Sequence, residues 1–219
     1  MNGVNKQLAE ISGIPVFVIS ALAFENCKNV GEIIIAAPSG ECTRFEELAK
    51  RYGVSKLSHV TEGGSSRFQS MKNAIEKVSP SAGFIAFHDG ARPLITPKDI
   101  EKVFTDAEEY GAAIAAVSAV DTVKRASGGF IENTPDRSAL FYAQTPQVFQ
   151  KELFLDCLER LGKKAENITD DSSILELCKE KVKITELSGC NMKITRPEDL
   201  IAARAIYENR NLNNRTEVI

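Results

Sequence analysis

Phe84-Ile85-Ala86-Phe87-His88-Asp89-Gly90-Ala91-Arg92-Pro93 is the stretch on which the reading of this chain turns. Four apolar residues stop at a small, charged, turn-forming cluster, the pattern of a buried parallel strand that delivers an acid and a base to the carboxyl edge of a sheet. A strand that is apolar throughout is covered on both faces, as in the sheets of α/β proteins. Ligands of such folds bind outside the carboxyl ends of the strands, so chemistry is expected at Asp89 and Arg92.

On either side of this strand, strand-like and helix-like segments alternate. Before it, a helix over 66–78 follows Gly63-Gly64 and a short strand near 58–60. Earlier still come a helix over 42–52 stopped at Gly53, a strand over 32–37, and a helix over 15–27 with proline in its first turn. After it come an acidic helix over 97–110, a buried strand over 112–119, helices over 150–161 and 172–180, a strand over 183–187 and a closing helix over 197–209. The alternation predicts right-handed βαβ units on a mostly parallel sheet, within a single domain over 1–210 and with a polar tail over 211–219 expected to fray.

Between Asp121 and Phe149 the rhythm breaks. Residues 122–125 and 130–132, with a turn at 126–129, read as a two-stranded arm carrying charges on both sides. A lone ribbon is marginally stable in water, so the arm is expected to embrace its equivalent on a second copy of the chain.

Composition narrows the functional classes. The 219 residues are 43% hydrophobic and 26% charged, enough for a full core and incompatible with global disorder. A net charge of -3 argues against a general nucleic-acid binder, which needs a basic face. Cys27, Cys42, Cys157, Cys178 and Cys190 form no CxxC pair and no metal spacing with histidine, which points to unpaired thiols in a reducing cytoplasm. No apolar run approaches the roughly 18 residues of a bilayer span, so a soluble protein is expected. No internal repeat is present.

Taken one at a time, the chemical candidates have ordinary explanations. Gly63-Gly64 between a strand and a helix is usually a turn, although bare backbone there can approach a planar ligand or an anion. Ser70, one turn into the following helix, reads as a surface serine, and Arg67 can pair with a carboxylate. Asp89 and Arg92 can bridge each other, or can bind ligand hydroxyls and an anion. Packing against the sheet accounts for His88. Thr122 and Thr145 are good strand formers. Lys193 lies on a bend before a helix entered at Thr195 and Pro197, where it can project into a cleft; solvation is the usual fate of such a lysine, and of Lys6.

Their joint order changes this. Lys6-Gln7-Leu8, Gly63-Gly64 with Arg67 and Ser70, His88 to Pro93, Asp121-Thr122-Val123-Lys124-Arg125, Gln144-Thr145-Pro146-Gln147-Val148-Phe149, Thr169-Asp170-Asp171-Ser172-Ser173 and Asn191 to Leu200 stand in the order of one family. The chain resembles, over nearly its whole length, the 2-C-methyl-D-erythritol 4-phosphate cytidylyltransferases. The resemblance implies a Rossmann-like nucleotidyltransferase that joins CTP to methylerythritol phosphate and releases pyrophosphate, acting as a cytoplasmic homodimer through an interlocking arm. It implies that Gly63, Gly64 and Ser70 take the cytosine, Gly64 through its backbone. Asp89, Arg92, Thr122, Thr145 and Thr169 would line the sugar-phosphate pocket, with Arg137 reaching the site of a second copy. Lys6 and Lys193 would hold the α-phosphate, and magnesium would be held mainly by the CTP phosphates. A ribitol 5-phosphate cytidylyltransferase and a catalytically silent nucleotide-fold protein are the rival readings.

The chain departs from the family pattern at its start. Members open with a strand and a loop of the type Ala-Ala-Gly-x-Gly-x-Arg-Met, and Met1 occupies the last position of that motif. As written, the chain lacks that central strand and the phosphate-wrapping loop. It is therefore expected to leave unpaired backbone in the sheet, to bind CTP weakly, and to turn over more slowly than an extended form. Ser65, Gly90 and Cys190 are smaller departures; Cys190 stands where an aspartate is usual, so no protein metal ligand is assigned.

Overall fold

The computed structural model describes residues 6–216. In chain order the elements are β1 (Glu10–Ile11), β2 (Ile14–Pro15), α1 (Val16–Glu25), β3 (Ile33–Ala37), α2 (Cys42–Arg51), β4 (Leu57–Glu62), α3 (Arg67–Ile75), β5 (Phe84–Phe87), α4 (Pro97–Tyr110), β6 (Ala112–Ser118), β7 (Arg125–Ser127), β8 (Phe130–Asn133), β9 (Phe141–Gln150), α5 (Lys151–Leu161), α6 (Ser172–Leu177), β10 (Lys183–Glu186) and α7 (Pro197–Thr216). Short 3-10 turns cover Arg137–Ala139 and Gly162–Asn167.

Local chemistry sets several of these boundaries. The Thr96 hydroxyl accepts from the Asp99 amide while the Asp99 carboxylate accepts from the Thr96 amide, a reciprocal cap that starts α4 with Pro97 in its first turn. Gly111, at φ 82°, ends the same helix in the left-handed region and hands the chain to β6. Ser66 caps α3 by accepting from the Gln69 amide at 3.1 Å.

Four strands pair in the order β10-β6-β9-β5, and β3 and β4 form a separate parallel pair. Strand β10 is parallel to β6, but β9 runs against both β5 and β6. This long antiparallel strand was not among the expected elements, and it makes β5 an antiparallel neighbour instead of the expected parallel one. Pro146 hid it, because a residue without an amide proton argues against a central strand. The ladder accommodates it with a register shift, Ile114 opposing Gln147 and Ala116 opposing Ala143, so the proline falls at an irregularity.

Helices cover both faces. On one, Phe24 of α1 and Val103 and Phe104 of α4 pack with Ala113 and Val148; on the other, Met71 of α3, Phe154 of α5 and Ile174 of α6 pack with Phe149. A slot of about 850 Å³ separates β3 from β5 and divides the sheet in two. Among the described residues, β3 pairs with β4 alone and β5 with β9 alone.

The arm is a hairpin of β7 and β8 turning at Gly128-Gly129. Its first strand begins at Arg125, so Thr122 precedes the ribbon instead of starting it. Helix α7 continues through Thr216, past the expected start of the tail; residues 1–5 and 217–219 lie outside the described residues. No helix among those described is long and apolar enough to cross a membrane.

Candidate active site

The turn after β5 is held rigidly. The Asp89 amide donates to Thr145 Oγ1 at 3.0 Å, and His88 Nδ1 lies 3.1 Å from the same hydroxyl. His88 Nε2 is 3.3 Å from the Arg92 carbonyl oxygen, and the ring packs on Phe24. Burial pushes the His88 pKa down to about 4, so the ring is neutral at physiological pH. From below, the Ser20 hydroxyl of α1 donates to the Gly90 carbonyl at 3.2 Å.

On this turn the Asp89 carboxylate meets three cations. Lys193 Nζ is 2.9 Å from Oδ2, Arg67 Nη1 is 2.9 Å from Oδ1, and Arg92 Nε is 3.5 Å from Oδ2. Burial works against ionising Asp89, yet the Lys193 contact and then the Arg67 charge outweigh it and hold the carboxyl well below the usual range. Arg67 also pairs with Asp171, which is almost fully buried. Burial pushes the Asp171 carboxyl up, against the pull of Arg67.

Three segments remote in sequence build this cluster. Arg67 opens α3 just past Gly63-Gly64. Lys193 follows Asn191, whose Nδ2 donates to Gln144 Oε1 at 3.0 Å and to the Thr145 carbonyl at 2.8 Å, and whose own carbonyl accepts from Arg92 Nη1 at 2.8 Å. Asn191 Oδ1 is buried with no hydrogen-bond partner among the described residues. The turn carrying Asp171 is clamped by Gln147 of β9, which donates to Asp170 Oδ2 and accepts from the Ser172 amide at 2.8 Å.

The Gly63-Gly64 loop closes the same mouth. The Gly63 amide donates to the Ala37 carbonyl at 2.6 Å, and the Gly64 amide to Ser70 Oγ at 3.0 Å. A Cβ on Gly63 would stand 3.1 Å from the Ala37 oxygen, and one on Gly64 would run into the Gln69 side chain. Ser70 Oγ donates in turn to the Ser66 carbonyl, so this serine shapes the loop. Ser70, Arg67, Asp89 and Asp171 line one cavity.

Thus the fold brings Asp89, Arg92, Thr145 and Lys193 together, with Ser70 and the paired glycines at the same mouth. Lys6 precedes Gln7, which lines the cavity and comes close to Gly90. Thr169 is exposed two residues before Asp171. Thr122 and Arg137 lie apart on the arm side; Thr122 is exposed, and Arg137 Nη1 donates to the Val120 carbonyl at 2.6 Å. Sequence reasoning left Arg67 evenly balanced and gave no role to Asp171 or Asn191. The signals available were the position of Arg67 at a helix start beside two glycines and the tandem acids at 170 and 171.

A family model described as IspD, 2-C-methyl-D-erythritol 4-phosphate cytidylyltransferase, matches residues 1–209. The protein of that name from Geobacillus kaustophilus is 37% identical over 208 residues, covering 95% of this chain and 91% of the relative. That from Bacillus mycoides is 39% identical over 203 residues, with coverage of 93% and 89%. The crystal structure of 4-diphosphocytidyl-2C-methyl-D-erythritol synthase from Anaerococcus prevotii superimposes with a TM-score of 0.84 at 27% identity, over 92% of this chain and 93% of that one.

Proposed function

This chain belongs to the 2-C-methyl-D-erythritol 4-phosphate cytidylyltransferase family, and we propose from that premise that it transfers the cytidylyl group of CTP to 2-C-methyl-D-erythritol 4-phosphate in isoprenoid synthesis. A phosphate oxygen of the alcohol phosphate forms a bond to the α-phosphorus of CTP. The bond from that phosphorus to the β-bridging oxygen breaks, and pyrophosphate leaves with the electron pair. Attacker and leaving group are both anionic, so the protein's task is to hold them in line and to offset charge.

The single observation that carries this reading is the Asp89 carboxylate ringed by Lys193, Arg67 and Arg92 at the carboxyl end of β5. Asp89 fixes the cations in place and is itself an acceptor for ligand hydroxyls. Lys193 and Lys6 are the proposed contacts to the α-phosphate. Thr122, Thr169 and Arg92 are proposed for the sugar-phosphate side. The Thr145 hydroxyl is already engaged by His88 and the Asp89 amide, so its contribution is to hold the turn. The Gly63-Gly64 backbone suits the flat cytosine ring.

Magnesium belongs in this reading as part of the Mg·CTP substrate. Among the described residues no group of three or more histidine, cysteine, aspartate or glutamate side chains is placed to hold a metal ion, and both Asp89 oxygens are engaged by cations. A homodimer is proposed on the arm: Phe130 is 80% and Ile131 67% exposed on a ribbon that cannot bury them alone. The Arg137 turn, at the base of that arm, is the part proposed to reach a second copy. Cytoplasmic location completes the proposal.

The test is pyrophosphate release by the purified chain with Mg·CTP and either alcohol phosphate. Release with methylerythritol phosphate and not with ribitol 5-phosphate is expected. The reverse preference would overturn the substrate, and Mg·CTP binding without release would overturn the reaction.

A further inference from the structure

We infer that Arg210 of α7 is a positioning residue for Lys193, one that locks the Lys193 loop to the turn after β5. The inference rests on the proposed role of Lys193 and extends it to a residue that the family pattern does not assign, since Arg210 stands just past residues 1–209, which the family model matches. The helical period puts Arg210 where it is needed. Ala203 is fully buried, and Ile206 and Tyr207 pack in the same cluster with Ile194 and Leu94. Residues 203, 206, 207 and 210 fall on one face of a helix, so the packing that seats α7 also turns Arg210 inward. The start of α7 is anchored separately, where the Asp199 carboxylate accepts from the Thr195 and Arg196 amides, each at 2.8 Å.

The guanidinium spans two chain segments. Nη1 donates to the Leu94 carbonyl at 2.7 Å and Nη2 to the Cys190 carbonyl at 3.1 Å. Leu94 closes the turn that carries Asp89 and Arg92, and Cys190 stands just before Asn191 and Lys193. The same two segments are joined by Arg92 Nη1 to the Asn191 carbonyl and by the Ile194 amide to the Ala91 carbonyl, both at 2.8 Å. Residues 187–196 belong to no helix or strand, so cross-links of this kind fix where Lys193 stands. A planar fork holds both carbonyls at once, which one ammonium on a flexible stem does not. Lys193 works only where its Nζ meets the α-phosphate, and a displacement of about 1 Å can cost on the order of a hundredfold in rate.

The test compares Arg210→Met, which keeps the apolar stem, with Arg210→Lys, which keeps the charge, in the full chain and with cooperative urea unfolding as the check on folding. With Mg·CTP and methylerythritol phosphate, both variants should lose about tenfold in kcat while KM for each substrate stays within about threefold. Amide exchange at Ile194, whose bond to Ala91 crosses the same gap, should quicken in both. On a Lys193→Ala background, Arg210→Met should cost less than about twofold, because a residue that acts through Lys193 then has nothing left to position. Parental kcat in both variants would overturn the inference, and so would unchanged exchange at Ile194. A loss of about tenfold on the Lys193→Ala background would make Arg210 a general support of the fold and overturn it as well. Parental turnover in Lys193→Ala itself would instead overturn the proposed role of Lys193, and the inference with it.

Discussion

Strands β6 and β3 are made of the same kind of residue and live in different surroundings. Ala112–Ala116 of β6 are buried between β10 and β9, whereas Ile33–Ala36 of β3 are only half-buried, with β4 on one edge and the slot on the other. Apolar composition thus made both into strands, but neighbours on both edges made only one of them core. The site straddles this divide. Asp89, Thr145 and Lys193 sit on the closed, four-stranded half, while the Gly63-to-Ser70 loop springs from the open half. Fixed charge is therefore drawn from both halves, Asp89 and Lys193 from the closed one and Arg67 from the open one.

The largest effect is expected on the closed side. Lys193→Ala should cost about 3 to 4 kcal/mol of barrier lowering, a hundredfold or more in turnover, in a variant that still unfolds cooperatively in urea. Wild-type turnover in the folded variant would remove Lys193 from the chemistry. The two strands can be compared directly: Ile114→Ala in β6 should destabilise by about 3 kcal/mol, and Ile34→Ala in β3 by less than about 2, because its surroundings are already partly open. Equal losses in urea denaturation would break the contrast.

A third test uses pH. Unfolded histidine titrates near 6.5, while buried His88 resists protonation down to about 4. As pH falls the unfolded chain takes up the proton first, so stability is whole above about 6.5 and drains away towards 4, by on the order of 2 kcal/mol. Denaturation at pH 7 and pH 4.5 should show a smaller difference for His88→Asn than for the parent chain; identical differences would mean that the ring is not shielded. The smallest effect is expected on the open side. Ser70→Ala removes one bond to the Gly64 amide, worth about 1 kcal/mol, and should raise KM for CTP several-fold while leaving kcat nearly intact.

Much of the architecture could be read from residues alone. Helix α4 was bounded by Pro97 and Gly111, and β5 by its own abrupt end, because in both places the signal is local. Strand β9 was missed because Pro146 argues against a ladder position that only the facing strand's irregularity makes tolerable. The arm's first strand was placed too early: Thr122 and Val123 are strand formers, but the ladder begins only where Arg125 faces Asn133. Of the site, Asp89 and Arg92 were legible from their turn. That Arg67, Asp171 and Lys193 converge on them is a fact of topology, which no spacing in the chain encodes.

The bridge from Lys193 to Asp89 has a kinetic consequence. An ammonium bound to a neighbouring carboxylate exerts little long-range pull of its own, so the attraction of the empty cleft for a nucleotide falls to the cation left over among Arg67 and Arg92. Recognition would then begin with fit at the base and sugar, and the lysine would change hands only once a phosphate stands close enough to displace the aspartate.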